Sequence, residues 1–250
     1  MAFSASELSA LHAQGLLAGF LDREEFRRAV QRGDWHRVHR AGEVILDKGC
    51  APAGIFLVVH GTLELMLRNR DGDEHIAGLS RAGDCCGLEA VLGGRPSVYE
   101  LRALTQTTLL FLPRELVLEW IDTIPAFAQR VMQTVAREVG QLYAEIDGIQ
   151  SRSTLERLAC YLHCGERRQC RGGQAREQFS ISLPYFKLAQ RLGASQPHLS
   201  RALRSLEDNG VITRDGRHLQ VRDAQAFARL LCNGCRHGRT RPHSPTAAAG

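Results

Sequence analysis

PYFKLAQRLGASQPHLSRALRSLEDNGVITRDGRHLQV, residues 184–221, is the stretch on which the reading of this chain turns. Residues 184–192 read as a short helix opened by a proline, whose missing N–H has no partner to lose in a first helical turn. Gly193 then permits a tight turn. Ser195 is a helix-capping residue type, and Gln196–Asp208 continues as a second helix until Asn209-Gly210 stops it. Leu188, Ala189, Leu192, Leu199 and Ala202 fall where two crossed helices pack, with Ala189 small at the closest approach. Beyond them, residues 211–214 and 217–221 flank Asp215-Gly216, a two-residue hairpin signal. Two short helices followed at once by a β-hairpin are expected to form a winged helix-turn-helix.

The second helix of such a pair enters the major groove of double-stranded DNA with its N-terminal residues at base edges. Arg201 can offer a bidentate fork to guanine, Gln196 can pair with adenine, and His198 and Ser200 can reach an edge or a phosphate. Pro197 lies among them, and Arg204, further along, is placed for a phosphate. An ion pair with Glu207 is the competing use of Arg201. The charge balance points the same way. Residues 1–150 hold 15 Lys and Arg against 20 Asp and Glu, and residues 151–250 hold 17 against 7. A basic C-terminal part joined to an acidic N-terminal part is expected to meet a polyanion through the former alone.

Upstream, residues 35–113 read as short strands broken by glycines at 42, 49, 54, 61, 72, 78, 83 and 87, with Asp71-Gly72 at a hairpin tip. This is the pattern of a rolled antiparallel β-structure with an interior. From Pro125 a helical pattern runs to about Ile149. Ala128, Met132, Val135, Val139, Leu142, Ile146 and Ile149 follow one another at alternating spacings of 4 and 3, a heptad seam suited to a second helix and hence to a homodimer. The expected organisation is α+β: a β-roll sensor with helices ahead of it over 1–124, a dimerisation helix over 125–150, the winged helix over 151–225, and a largely disordered tail over 226–250.

The roll, the long helix and Ser195-Gln196-Pro197-His198-Leu199-Ser200-Arg201 together resemble the Crp-Fnr family of transcription regulators. The resemblance implies a double-stranded β-helix of the cyclic-nucleotide-binding type, dimeric binding to two-fold DNA sites, and recruitment or blocking of RNA polymerase. Many relatives carry glutamate where Pro197 stands, accepting from a cytosine amino group, so this chain's half-site is expected to differ there. The effector pocket implied by the resemblance falls on Gly87, Leu88, Glu89, Ser97 and Val98. The cyclic-nucleotide branch binds ribose with a Gly-Glu pair and phosphate with an Arg-Ser dipeptide. Here Leu88 follows Gly87 and Ser97 stands in the place of the phosphate arginine, which disfavours cyclic AMP. The oxygen-sensing branch needs an N-terminal cysteine cluster, and no cysteine precedes Cys50. The denitrification, nitric-oxide-responsive branch is closest in its likeness over residues 152–162. Haem and an iron–sulfur cluster both stay open as cofactors, with His12, His60 and His75 as candidate axial ligands.

Eight cysteines need an account. Cys160 and Cys164 share a helical face, and Cys232-x-x-Cys235 could complete a four-thiolate metal site if the tail folds back. Packing of the first two and a free tail for the others is the simpler reading, and redox or metal control through these thiols is the alternative mode of regulation. Cys85-Cys86 are adjacent and no small-domain disulfide spacing is present, as expected of a reduced, cytoplasmic chain. No run of 18 apolar residues occurs, so no membrane is expected. Nucleophile-elbow, phosphate-loop and zinc-protease motifs are missing, which leaves an enzyme without visible machinery. A roll-based signalling module whose C-terminal part binds protein is the remaining competitor.

Overall fold

The computed structural model describes residues 15–20, 26, 36–70, 72–164 and 178–232. It divides into two compact units, Met1–Ala144 and Glu145–Gly250. The first contains strands β1 (His36–His39), β2 (Val44–Leu46), β3 (Gly54–His60), β4 (Thr62–Arg68), β5 (Glu74–Arg81), β6 (Cys85–Cys86), β7 (Glu100–Ala103) and β8 (Thr107–Pro113). A short helix α1 (Leu88–Gly93) lies between β6 and β7, and α2 (Arg114–Thr123) and α3 (Pro125–Ser151) follow β8. The strands form two antiparallel four-stranded sheets, in orders β1-β8-β3-β6 and β2-β7-β4-β5. The expected roll is present.

Strand β3 shows why the sequence reads as an unbroken apolar run there. Ile55, Leu57 and Val59 join a cluster with Leu88, Val91, Val117, Trp120 and Phe127 on the helical side. Val58 joins Leu46, Leu63, Tyr99, Leu101 and Leu109 in the roll interior, with Phe56 packed against them. A strand buried on both faces has no polar alternation to display. Between β3 and β4, Gly61 has φ +89°, and a Cβ there would lie 2.4 Å from the Gln106 carbonyl oxygen, so this turn admits only glycine.

The second unit contains α4 (Thr154–Cys164), β9 (Gln178–Ser180), α5 (Tyr185–Arg191), α6 (Gln196–Asp208), β10 (Ile212–Asp215), β11 (His218–Val221) and α7 (Ala224–Leu230). Ser153 and Glu156 open α4 with reciprocal side-chain-to-backbone bonds, the Ser153 N–H donating to Glu156 at 2.8 Å and the Glu156 N–H to Ser153 Oγ at 3.3 Å. The sheet order is β10-β11-β9. Strand β9 adds a third strand that was not expected.

Two expectations need correction. The hairpin loop is Gly216-Arg217, because Asp215 pairs with His218; Gly216 takes the positive φ, at +55°. The stretch from 226, expected to be a largely disordered tail, is helical at its start, since α7 occupies its first residues. Asp223 caps that helix by accepting from the N–H groups of Gln225 and Ala226, both at 2.9 Å. Phe227, fully buried, stacks on Phe179 with ring centroids 5.5 Å apart. Burying such a side chain contributes about 1.5–3 kcal/mol, enough to hold a two-turn helix that composition alone would leave free. Most of the predicted tail, from 233 on, lies outside the described residues, as does His12.

Candidate nucleic-acid interface and sensor interior

Helix α6 is built to present one polar face. Leu199, Ala202, Leu203 and Leu206 are buried, while Gln196, Pro197, His198, Ser200, Arg201 and Arg204 are all exposed. The sequence thus splits the helix by its 3.6-residue period. Ser195 caps it, its Oγ accepting from the His198 N–H at 3.4 Å and lying 2.9 Å from His198 Nδ1. The cap fixes the His198 ring against the first turn. Pro197 sits in that turn, where its missing N–H leaves no bond unmade. Glu207 does not take Arg201; it holds Arg214 of the wing at 3.0 Å. All six predicted DNA-facing residues therefore lie on one open face.

The wing supplies positive charge that the sequence reading did not single out. Arg214, Arg217 and His218 are exposed on or beside its loop. The Tyr185 hydroxyl donates to the Gly216 carbonyl at 2.6 Å, tying the wing to the start of α5. Strand alternation could not have revealed them, since in β10 Ile212 is buried and the next three residues are all exposed.

Along α3, Phe127, Val131 and Thr134 are buried, and Val135 is partly buried on the same core. Of the predicted seam, Met132 is 63% exposed, Leu142 57%, Ile146 51% and Ile149 59%, with Val139 also exposed. Val135 is the seam residue already engaged within its own unit. A line of large apolar side chains this long, left to water on one helix, marks an interaction surface.

In the roll, Gly87 precedes α1 with φ +83°, and its N–H donates to the Tyr99 hydroxyl at 3.1 Å. Ser97, buried, donates its Oγ–H to the Tyr99 carbonyl at 2.8 Å. Tyr99, absent from the predicted pocket, therefore links two of its five members. The others part: Leu88 enters the helical-side core, Glu89 is exposed, and Val98 is turned to solvent, 66% exposed. Burial, with Cys86 and Glu89 beside it, pushes the Tyr99 phenol far above its ordinary range. Burial also raises the Cys85 thiol well above normal and pushes Cys86 up to about 12. On α3, Glu138 is pushed up to about 7 by burial and by Glu89 and Asp84, against the lowering effect of Arg137.

Among the described residues, no group of three or more His, Cys, Asp or Glu is arranged to hold a metal ion. Cys160, Cys164 and Cys232 are present as thiols, while Cys235 lies outside the described residues. No described helix is long and apolar enough to cross a membrane.

Comparison with known proteins agrees with this division. Residues 36–123 match the cyclic nucleotide-binding domain and residues 156–230 the Crp-like helix-turn-helix domain. The HTH-type transcriptional regulator Cmr of Mycobacterium tuberculosis is 30% identical over 172 residues, covering 69% of this chain and 66% of that one. The fumarate and nitrate reduction regulatory protein of Escherichia coli K12 is 22% identical over 189 residues, 76% of this chain and 75% of its own. In fold, the chain is similar to FixK2 from Bradyrhizobium japonicum, with TM-score 0.66 and 21% identity over 79% of this chain and 96% of that one. It is likewise similar to a CooA mutant from Carboxydothermus hydrogenoformans, with TM-score 0.68 and 19% identity over 85% and 94%.

Proposed function

From the fact that this chain belongs to the Crp-Fnr family of DNA-binding transcription regulators, we propose that it acts as a homodimer on two-fold symmetric double-stranded DNA, in the cytoplasm, and works on RNA polymerase from there. The carrying observation is the single open face of α6, with its apolar side committed to the core. Arg201 reads guanine through its fork, Gln196 pairs with adenine, and Ser200 and His198 contact a neighbouring edge or phosphate. Arg204 grips the backbone, and Arg217 and His218 of the wing follow it there. Pro197 offers no acceptor, so the half-site lacks the cytosine preference that an acidic residue would impose. Selection of bound sequences from a random pool tests this reading. Two inverted half-sites about one helical turn apart are the expected outcome, and a pool without two-fold symmetry overturns it.

The effector enters through the roll and is not cyclic AMP. Ser97 has no charge to offer a phosphate, and the Gly87 N–H beside it is already taken by Tyr99. Calorimetry with millimolar cyclic AMP should give no saturable heat. A micromolar dissociation constant overturns the assignment.

A further inference from the structure

Helices α4 and α7 bring two thiols together around one cation. The backbone N–H of Cys232, just past the end of α7, donates to Cys160 Sγ on α4 with N···S 3.3 Å. The Arg152 guanidinium reaches the same sulfur at 4.0 Å and pairs with Asp147 at 2.8 Å. With an N–Cα bond of about 1.46 Å, the Cα of Cys232 lies within about 4.8 Å of the Cys160 sulfur. Turning Cys232 about χ1 then carries its own sulfur toward Cys160 with the backbone in place. Cys160 is buried and Cys232 partly exposed, so one thiol is sheltered and the other reachable.

We propose that Cys160 and Cys232 are a reversible disulfide pair through which hydrogen peroxide alters the DNA-binding unit. This goes beyond the operator and effector reading above and does not depend on it. The Cys232 thiolate attacks the O–O bond of the peroxide; sulfur becomes a sulfenic acid, and the hydroxide released takes a proton to leave as water. Cys160, as thiolate, attacks that sulfur; the S–S bond forms, the S–O bond breaks, and a second water departs. Two thiols are oxidised by two electrons and one peroxide is reduced to two waters. A guanidinium beside the sulfurs favours the nucleophilic thiolate. Burial works to lower the Arg152 pKa, and the charges of Cys232, Cys160 and Asp147 outweigh it and leave it raised.

The consequence falls on Arg152, which lies between α3 and α4. In the reduced state its guanidinium reaches the Cys160 sulfur and the Asp147 carboxylate together, and the disulfide takes the sulfur out of that pairing. The same bond closes a loop from Cys160 to Cys232 that contains β9, both DNA-facing helices and the wing. The roll's Cys85 and Cys86 do not share this chemistry, since burial holds both as neutral thiols.

The full-length chain is treated with hydrogen peroxide, blocked with iodoacetamide and digested for mass spectrometry. A peptide joining Cys160 to Cys232, lighter by two hydrogens and released by dithiothreitol, is the expected result. It should persist in Cys235→Ser and vanish in Cys232→Ser, whose site is partly exposed and tolerates the change. Arg152→Met should slow its formation on the order of tenfold, and Arg152→Lys should restore most of the rate. Oxidation should raise the melting temperature of the winged unit by on the order of 10 °C, because a long loop is closed. A Cys232–Cys235 bond in its place, or full alkylation of Cys160 after peroxide, overturns the proposal, whatever the DNA selection shows.

Discussion

In the roll, the Gly87 N–H, the Tyr99 hydroxyl and the Ser97 hydroxyl satisfy polar groups within the fold, beneath the surface. Along α6 the predicted DNA-facing side chains are exposed, while the Ser195 cap is answered by His198 and Glu207 by Arg214 of the wing. The two regions put similar chemistry to opposite uses. Groups satisfied internally make a closed and selective interior, whereas groups left solvated are ready to exchange water for phosphate and base edges. The long α3 helix shows both habits on one element, with Phe127 and Val131 committed to the core and Leu142 and Ile146 uncovered.

The sharpest way to break this contrast is at the uncovered seam. Val139→Glu combined with Leu142→Glu would place charge in the proposed dimer interface and should give monomers in sedimentation velocity, with operator affinity reduced by about a hundredfold or more. An intact dimer would move the interface elsewhere. Next comes the closed interior. Tyr99→Ala should lower stability by about 3–5 kcal/mol in denaturant unfolding, and Tyr99→Phe by about 1–2 kcal/mol, because the Gly87 N–H loses its acceptor. A costless Tyr99→Phe would show that the interior is not closed by that bond.

On the open face, Arg201→Ala should weaken the specific site by about 1–3 kcal/mol and leave non-specific DNA nearly untouched. Arg204→Ala should weaken all sequences alike and lower the salt slope by about one. Titrations across salt on specific and scrambled duplexes separate the two, and identical behaviour would remove α6 from the groove. Pro197→Glu should add a preference for cytosine in a random-pool selection, and recovery of the parent's pool would count against this docking.

The smallest effect concerns pH. Glu138 titrates near 7 in the folded chain against an ordinary 4.5, so folding favours its protonated form. That contribution is complete below about pH 4.5 and is lost as pH rises through about 7. Because Glu138 is partly exposed, solvent screening reduces the effect. Glu138→Gln should therefore raise stability by about 1 kcal/mol near pH 8 and change nothing near pH 4, as read by melting temperature. A gain independent of pH would point to packing instead of charge.

What could be read from the sequence follows the range of the interactions. The helix-turn-helix was legible because its determinants lie within a few residues: Gly193 at φ +59°, the Ser195 cap and the apolar period of α6. The exposed apolar line along α3 was legible for the same reason. The wing loop slipped by one residue because Asp-Gly and Gly-Arg both suit a tight turn, and pairing of Asp215 with His218 decides between them. Helix α7 was hidden because Phe227 gains its burial from Phe179, 48 positions upstream. Tyr99 was missed likewise: nothing local marks a tyrosine whose partner is the N–H of residue 87. The pocket members implied by family likeness differ in direction, since Leu88 and Glu89 lie on a helix and Ser97 and Val98 on the segment before β7, where neither helical nor strand period in the sequence says which side chain turns inward.

The Tyr99–Gly87 bond has an evolutionary reading. A roll interior whose Gly87 N–H is held by one phenol is a single codon change from having an unclaimed backbone donor. The residues proposed to face DNA belong to the other compact unit and need not change with it. A lineage carrying this roll can therefore acquire a new signal while keeping its operators, and an old regulon can be placed under different chemical command.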